Sequence, residues 1–292
     1  MSDADSDWWD HRPVFSTTDK GFRLTGLAVG ERPGQVTIRL LVSAALCFAG
    51  WGAVSLLGTS FLCGATSAPA GSCAVDVPGN LPTALVIAAA LVGGYLVLFV
   101  TVDLSEQARH RFGQRRAAGL FRSVPLLAGM CVGAASSVVT AVAVDPAETV
   151  RRTLHGLIGT EAIAISAAVA ILTGVWCLTM LARLPAALLH AHQRQATIER
   201  LRRDGRRYAG QVKLGRIVYW LGHDPELDVT IEYDSPAGSH AVKARMRTSP
   251  DRVPADGSRV IVYDDLRGVV HIELDRDAGP TYEPEARYAA SE

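Results

Sequence analysis

Residues 162–184 read AIAISAAVAILTGVWCLTMLARL, and the first charged side chain in this stretch is Arg183. About 20 apolar residues are enough for a helix to cross the roughly 30 Å hydrocarbon core of a bilayer. A surface helix of a soluble protein would carry a polar stripe at helical spacing, and this stretch has none. It therefore predicts a membrane-spanning helix.

Three further stretches have the same character: residues 40–61, 82–102 and 124–144. Each is flanked by polar or helix-breaking residues, and none has Asp, Glu, Lys, Arg or His in its middle. Backbone groups in lipid must be satisfied within each segment, which favours helices. The sequence therefore predicts an α-helical membrane protein with a four-helix transmembrane bundle over residues 36–185. A cytosolic N-terminal tail, residues 1–35, precedes it.

Lys and Arg alternate along the segments that connect these stretches. Five precede the first stretch, none lies in residues 62–81, five lie in 103–123, two in 145–161 and six in 185–207. Because basic residues stay on the cytosolic side, the pattern predicts that both ends of the chain are cytosolic. The Ala- and Arg-rich composition resembles that of high-GC actinobacteria, so we expect a multi-pass protein of a bacterial plasma membrane.

The loop of residues 62–81 contains Cys63 and Cys73, ten positions apart in a Gly-, Ser-, Ala- and Pro-rich stretch. On the outer face of the membrane the surroundings are usually oxidising, which favours a disulfide between them. Such a bond would close a short loop and limit its freedom. Two free thiols are the alternative.

Gly129 and Gly133 form a G-x-x-x-G pair in the third stretch. Two small residues at this spacing let helix backbones approach closely. The pair therefore predicts a helix-packing surface, used either within the chain's own bundle or against another subunit.

Basic residues follow the fourth stretch, in a predicted linker helix over residues 186–205. Arginines near a membrane surface attract anionic headgroups, each by about 1 kcal/mol. The candidates for such a contact are Arg194, Arg200, Arg202 and Arg203. The alternative is a solvated helix face that adds only to the orientation signal.

The C-terminal part of the chain changes to a period of two, which is typical of half-buried strands. Residues 227–233 read LDVTIEY and residues 242–247 read VKARMR, on either side of a Ser-Pro-Ala-Gly turn signal. A slip of one residue would exchange the two faces of a strand, so the pattern specifies the register. It predicts three facing pairs: Ile231–Val242, Val229–Ala244 and Asp228–Arg245.

Five short strands of this kind predict a small all-β domain over residues 206–276, a barrel of the OB or SH3-like type. Residues 277–292 are predicted to be a flexible tail. The domain contains the patterns Gly210-Gln-Val212, Ile231-Glu-Tyr233 and Asp256-Gly-Ser-Arg-Val-Ile-Val-Tyr-Asp264. These resemble the C-terminal β-domain of a family of bacterial membrane proteins of unknown function, and are loosely similar to the cytosolic barrel of NfeD-like membrane proteins. The resemblance implies an interaction module and brings no catalytic residues.

Motifs for catalysis, metal binding or phosphate binding are absent from the sequence, including H-E-x-x-H, C-x-x-C and G-x-S-x-G. We therefore predict no enzyme activity, cofactor or metal. The formal net charge is +0, so global charge implies no nucleic-acid partner. The leading hypothesis is a non-catalytic accessory, scaffold or regulatory subunit of a cell-envelope membrane complex. Its partners would be the lipid bilayer and either a protein or another copy of the chain.

The alternative is an oligomeric channel or transporter for a small molecule or lipid. Because ionisable groups are absent at depth, proton or ion coupling within this chain alone is disfavoured. Such a pore would need a polar cavity between the helices, and the best candidates to line it are Ser136, Ser137 and Thr140.

Overall fold

The computed structural model describes residues 12–18, 22–23, 27, 30, 32–65, 83–144, 161–221 and 224–288. The chain divides into two compact units. One contains Val36–Ala108 and Ala118–Ala186, which form the helical unit. The other contains Met1–Gln35, Arg109–Ala117 and Ala187–Glu292, which we call the barrel unit.

Four long helices lie in the described part of the chain. Their bounds are α1 (Ile38–Ala65), α2 (Thr83–Phe112), α3 (Arg115–Val144) and α4 (Glu161–Asp204). All four are long and apolar enough to cross a membrane, and only 11% to 22% of the residues in their most apolar windows are buried. Large apolar side chains such as Leu91 and Trp176 are instead more than half exposed, at 69% and 57%. Such outward-facing apolar surface fits lipid and indicates a multi-pass membrane protein.

The two glycines of the G-x-x-x-G pair lie where α3 crosses α1. A Cβ built at Gly129 would overlap the carbonyl oxygen of Phe48, and one built at Gly133 would overlap that of Gly52. Ser55 Oγ also donates to the carbonyl oxygen of Met130, at 3.0 Å. The glycines therefore form a close helix contact within the chain's own bundle.

Helix α4 continues without a break to Asp204, although Pro185 lies inside it. The predicted linker helix is thus the last part of α4. The helix ends at Gly205, whose backbone N–H donates to the carbonyl oxygen of Leu201 at 2.9 Å. A Cβ at Gly205 would press on that same oxygen, so a glycine fits this stop.

The barrel unit contains a six-stranded antiparallel sheet that is nearly closed. In chain order the strands are β1 (Val14–Ser16), β2 (Arg206–Leu221), β3 (Asp224–Ser235), β4 (Gly238–Arg247), β5 (Arg259–Asp264) and β6 (Val270–Leu274). The order in the sheet is β1-β4-β3-β2-β5-β6, and β1 also contacts β6. The predicted barrel-like β-domain is therefore confirmed at this level.

The register of the predicted hairpin is confirmed, because β3 and β4 pair with Ile231 opposite Val242 and Val229 opposite Ala244. On the other face, Asp228 lies opposite Arg245 and the two form an ion pair. The apolar sides of the strands meet in one buried core. Strand β2 bends through register shifts after Leu214, beside Gly215.

The sheet has one strand more than expected, because β1 comes from the predicted N-terminal tail. Three residues are too few for an alternating pattern to appear in the sequence. The sequence predicts a flexible tail from residue 277, but residues up to Tyr288 contact the rest of the barrel unit. Tyr282 bridges to Pro254, the Glu283 N–H donates to the carbonyl oxygen of Val253 at 2.8 Å, and Tyr288 is buried. Residues 289–292 lie outside the described residues.

Candidate functional site

A carboxylate on β6, Glu273, whose side chain is only 12% exposed, joins three separate parts of the barrel unit. It accepts hydrogen bonds from Arg12 Nη1 at 3.0 Å and from Arg202 Nη2 and Nε at 2.6 and 2.9 Å. His271, two residues earlier on the same strand, lies 3.0 Å away through Nε2. The N-terminal segment, the end of α4 and the barrel are therefore held at one carboxylate.

The surroundings of Glu273 also set its charge state. Burial acts to raise the pKa of Glu273, but the hydrogen bond from His271 and the nearby positive charges hold it well below its ordinary value. Burial lowers the pKa of His271, against the effect of its bond to Glu273. An ionised carboxylate can only accept, so His271 Nε2 is the donor in its contact with Glu273.

A second buried carboxylate, Glu226 on β3, binds two arginines. Arg115 Nη1 lies 2.8 Å from Glu226 Oε2, and Arg23 pairs with Oε1. The side chain of Glu226 is only 3% exposed. Arg23 comes from the N-terminal segment and Arg115 is the first residue of α3. We call Glu226, Glu273 and their arginines the arginine clamps.

The N-terminal segment also packs against the residues between α2 and α3. The rings of Phe22 and His190 lie 4.3 Å apart, and the guanidinium of Arg116 lies 4.9 Å from the Phe22 ring. His190 Nδ1 is 2.9 Å from Gln114 Nε2. The backbone N–H of Arg115 donates to the carbonyl oxygen of Arg23 at 3.3 Å. These contacts hold the segment beside the clamps.

An open groove of about 590 Å³ is lined by residues of β2, β3, β4 and β5. Two of its lining rings, Tyr233 and His240, stack with 5.2 Å between their centroids, and Tyr233 also stacks on Tyr208 at 5.8 Å. The Tyr233 hydroxyl donates to Asp264 Oδ2 at 3.2 Å, and burial raises the pKa of Tyr233 to about 12. The side chains that line the rest of the groove include Gln211, Glu232, Asp234, Ser239 and Arg259. We call this surface the barrel groove.

The four basic residues predicted to contact lipid differ in their exposure. Arg194 is half-buried, and Arg200 and Arg203 are exposed. Arg202 binds Glu273 through its guanidinium, and its side chain is only 11% exposed. The lipid contact of these four residues stays a prediction. The disulfide prediction falls on Cys73 and on the side chain of Cys63, both outside the described residues, so it stays a prediction.

The clamp residues were missed by sequence reasoning. His271 and Glu273 alternate with core residues on β6, which is the pattern of an ordinary solvent-facing side of a strand. Arg12 and Glu273 are 261 positions apart, and no local pattern links them. The available signal in the sequence was that His271 and Glu273 lie two positions apart on a strand whose other residues are apolar.

The described residues contain no group of three or more His, Cys, Asp or Glu that could hold a metal ion. Compared with protein-family models, curated proteins and solved structures, the chain matches none of them. The resemblance to NfeD-like proteins and to bacterial membrane proteins of unknown function therefore stays a prediction. The four long apolar helices indicate a multi-pass membrane protein, and the same chain contains a barrel-like unit.

Proposed function

We propose that this chain is a non-catalytic accessory, scaffold or regulatory subunit of a membrane complex in a bacterial cell envelope. The arginine clamps are the observation that carries the proposal. They fasten the barrel to the N-terminal segment, to the first residue of α3 and to the end of α4, all within one compact unit. A barrel on a free tether would not need such buried ion pairs, which cost desolvation energy.

The barrel groove is the surface on which a cytosolic protein partner would dock. It combines an exposed imidazole and an exposed guanidinium with carboxylates, over a stacked aromatic floor. Arginine and aromatic side chains are enriched in protein interfaces, and a polar rim is usual there. With both ends of the chain in the cytosol, as the basic residues predict, the groove would be open to cytosolic proteins.

We further infer that the barrel is of the OB type, as in NfeD-like proteins. The long strand β2 pairs with both β3 and β5, and the sheet order is not the chain order. These are features of a Greek-key barrel and support this choice over a simple meander. Such barrels bind varied ligands through loops and one face, so the barrel type alone names no partner.

The rival function, an oligomeric channel or transporter, has less support. Its predicted lining hydroxyls have partners inside the helical unit. Ser137 Oγ lies 2.5 Å from Thr59 Oγ1, while Ser136 and Thr140 donate to carbonyl oxygens of their own helix. Hydroxyls bonded in this way have their hydrogen bonds satisfied without water, so they give no support for a water-filled pathway.

Crosslinking in cells, followed by purification in mild detergent and mass spectrometry, tests the proposal. A photo-crosslinking residue at Gln211 in the groove should capture a specific protein, whereas one at the exposed Arg216 outside it should not. The double substitution His240→Ala and Arg259→Ala should reduce capture at least about tenfold, and Arg216→Ala should leave it unchanged. A monomer with no co-purifying protein would contradict the subunit role. Unchanged capture by the double variant would contradict the groove.

A further inference from the structure

The barrel is built from one continuous part of the chain, except for one strand. Strands β2 to β6 all lie within residues 206–274 and pair with one another in an unbroken series from β4 to β6. The remaining gap between the edges of β4 and β6 is filled by β1, which comes about 190 residues earlier. Residues 206–274 therefore form an acceptor site for one added strand.

The segment that fills this site makes three kinds of contact. Its backbone pairs with β4, with Val14 opposite Arg247 and Ser16 opposite Arg245. Phe15 enters the core of the barrel and is 3% exposed. Arg12, three residues earlier, binds Glu273 on β6. Backbone pairing supplies affinity in this mode of binding, and the side-chain pocket supplies specificity.

The junction between β1 and the rest of the barrel is small. β1 has only three residues. A cavity of about 20 Å³ lies beside it, lined by Arg12, Phe15, Ile272 and neighbouring residues. A cavity of this size has room for one water molecule. The strand is therefore held by few interactions compared with β2 or β3.

We propose that a second copy of this chain can supply the strand, so that two copies exchange β1. The backbone pairs, the Phe15 pocket and the Arg12–Glu273 ion pair are the same whether the segment belongs to the same copy or to a neighbour. Exchange of identical elements is a low-cost route to dimers for this reason. The two arrangements differ in which copy's chain supplies the segment, and in the exchanged form the connection between β1 and α1 runs to the neighbouring copy.

This exchange would give the proposed scaffold a surface for self-association, and it rests on the proposed function only for that role. The surface lies at the β4 and β6 edges, whereas a protein partner would use the barrel groove. The two proposals can therefore fail separately.

Disulfide trapping between two full-length, differently tagged copies in the same membrane tests the exchange. One copy carries Val14→Cys and the other carries Arg247→Cys, whose backbone positions are paired. Oxidation should produce a linked heterodimer, and the pair Ser16→Cys with Arg245→Cys should do the same. Val14→Cys combined with Lys243→Cys, four positions out of register on the same strand face, is the matched control. We expect at least about tenfold less heterodimer from it.

Two results would overturn the exchange. Equal yields from the paired and the out-of-register positions would mean that the copies collide without exchanging a strand. No heterodimer from either paired combination, with complete closure inside single copies that carry both Val14→Cys and Arg247→Cys, would mean that β1 stays with its own chain. Because neither result involves a groove residue, partner capture at Gln211 is read independently.

Discussion

At the scale of single residues, two carboxylates matter most for how the barrel unit is held together. They are Glu226 and Glu273, which carry the largest cost of desolvation. Moving a carboxylate out of water costs several kcal/mol, and the cost is recovered only when partners surround it. Glu273 has two arginines and a histidine within 3.0 Å. Replacing both partners of a buried ion pair by well-packed apolar residues often leaves the free energy of unfolding unchanged or higher. Removing only one partner lowers it, because the other charge stays buried without compensation.

Glu273→Gln should therefore destabilise the barrel unit by about 3 to 5 kcal/mol. The amide keeps the size of the side chain but leaves Arg12 and Arg202 without their shared negative charge. Thermal loss of the β-sheet circular dichroism signal, in full-length chain in mild detergent, would measure this. Glu232→Gln is the matched control, since its ion pair with Lys213 is exposed on both sides and should cost no more than about 1 kcal/mol. Equal effects would contradict the clamp.

Acid should destabilise the barrel unit in two stages. Burial lowers the pKa of His271 in the folded chain, so the unfolded chain binds a proton below about pH 6.5 that the folded chain does not. Stability then falls by up to about 1.4 kcal/mol per pH unit. The pKa of Glu273 is also lowered on folding, so its contribution is present above about pH 4.5 and lost below it. Arg12, Arg202 and Tyr263 face the same pair.

His271→Gln isolates the first stage. Between pH 7.5 and 5.5 the unfolding midpoint of the unaltered chain should fall, and that of the variant should change little. His240→Gln, at an exposed histidine, should leave the normal fall in place. A parallel fall in the His271 variant would show that another group binds the proton.

At the scale of elements, helix contacts and strand pairs differ in how well the local sequence predicts them. Helix α3 brings two glycines to α1, and their missing side chains set how closely the backbones approach. The pairing of β3 with β4 follows directly from alternation, turn and opposite charges. The pairing of β1 follows from none of these, because a strand of three residues has too little pattern.

Gly133→Ala should weaken the α1–α3 contact, since its Cβ would overlap the carbonyl oxygen of Gly52. Overpacking of this kind costs about 1 to 3 kcal/mol. Gly119→Ala, in the same helix but with open space around its Cβ, should be neutral or stabilising by up to about 1 kcal/mol. The unfolding midpoint of the helical signal in mild detergent measures both. If Gly119→Ala proved the more harmful change, the packing interpretation would be wrong.

At the scale of the whole molecule, the chain separates its apolar and charged parts into two units. The helical unit exposes apolar side chains all around its helices, which fits lipid. The barrel unit collects the basic segments and pairs several of their arginines with buried carboxylates. Several of the basic residues that predict the orientation therefore also form ion pairs with carboxylates of the barrel.

Cysteine labelling in whole cells would test the predicted orientation. A membrane-impermeant thiol reagent should label Ala70→Cys in intact cells, and Ser239→Cys on the exposed side of the barrel only after lysis. In the unaltered chain, Cys63 and Cys73 should resist the reagent until a reductant is added, because we predict a disulfide between them. Labelling of Ser239→Cys in intact cells would reverse the orientation and remove the basis for that disulfide.

The sequence by itself determined the four spans and the β3–β4 hairpin. Both depend on local composition: an apolar run meets lipid with no partner, and an alternating pair of strands needs only its own turn. Only the tertiary structure decided the place of β1, the arginine clamps and the packing of Tyr288. Each of these joins residues far apart along the chain, and the free energy that holds them comes from burial and ion pairing that no single stretch contains.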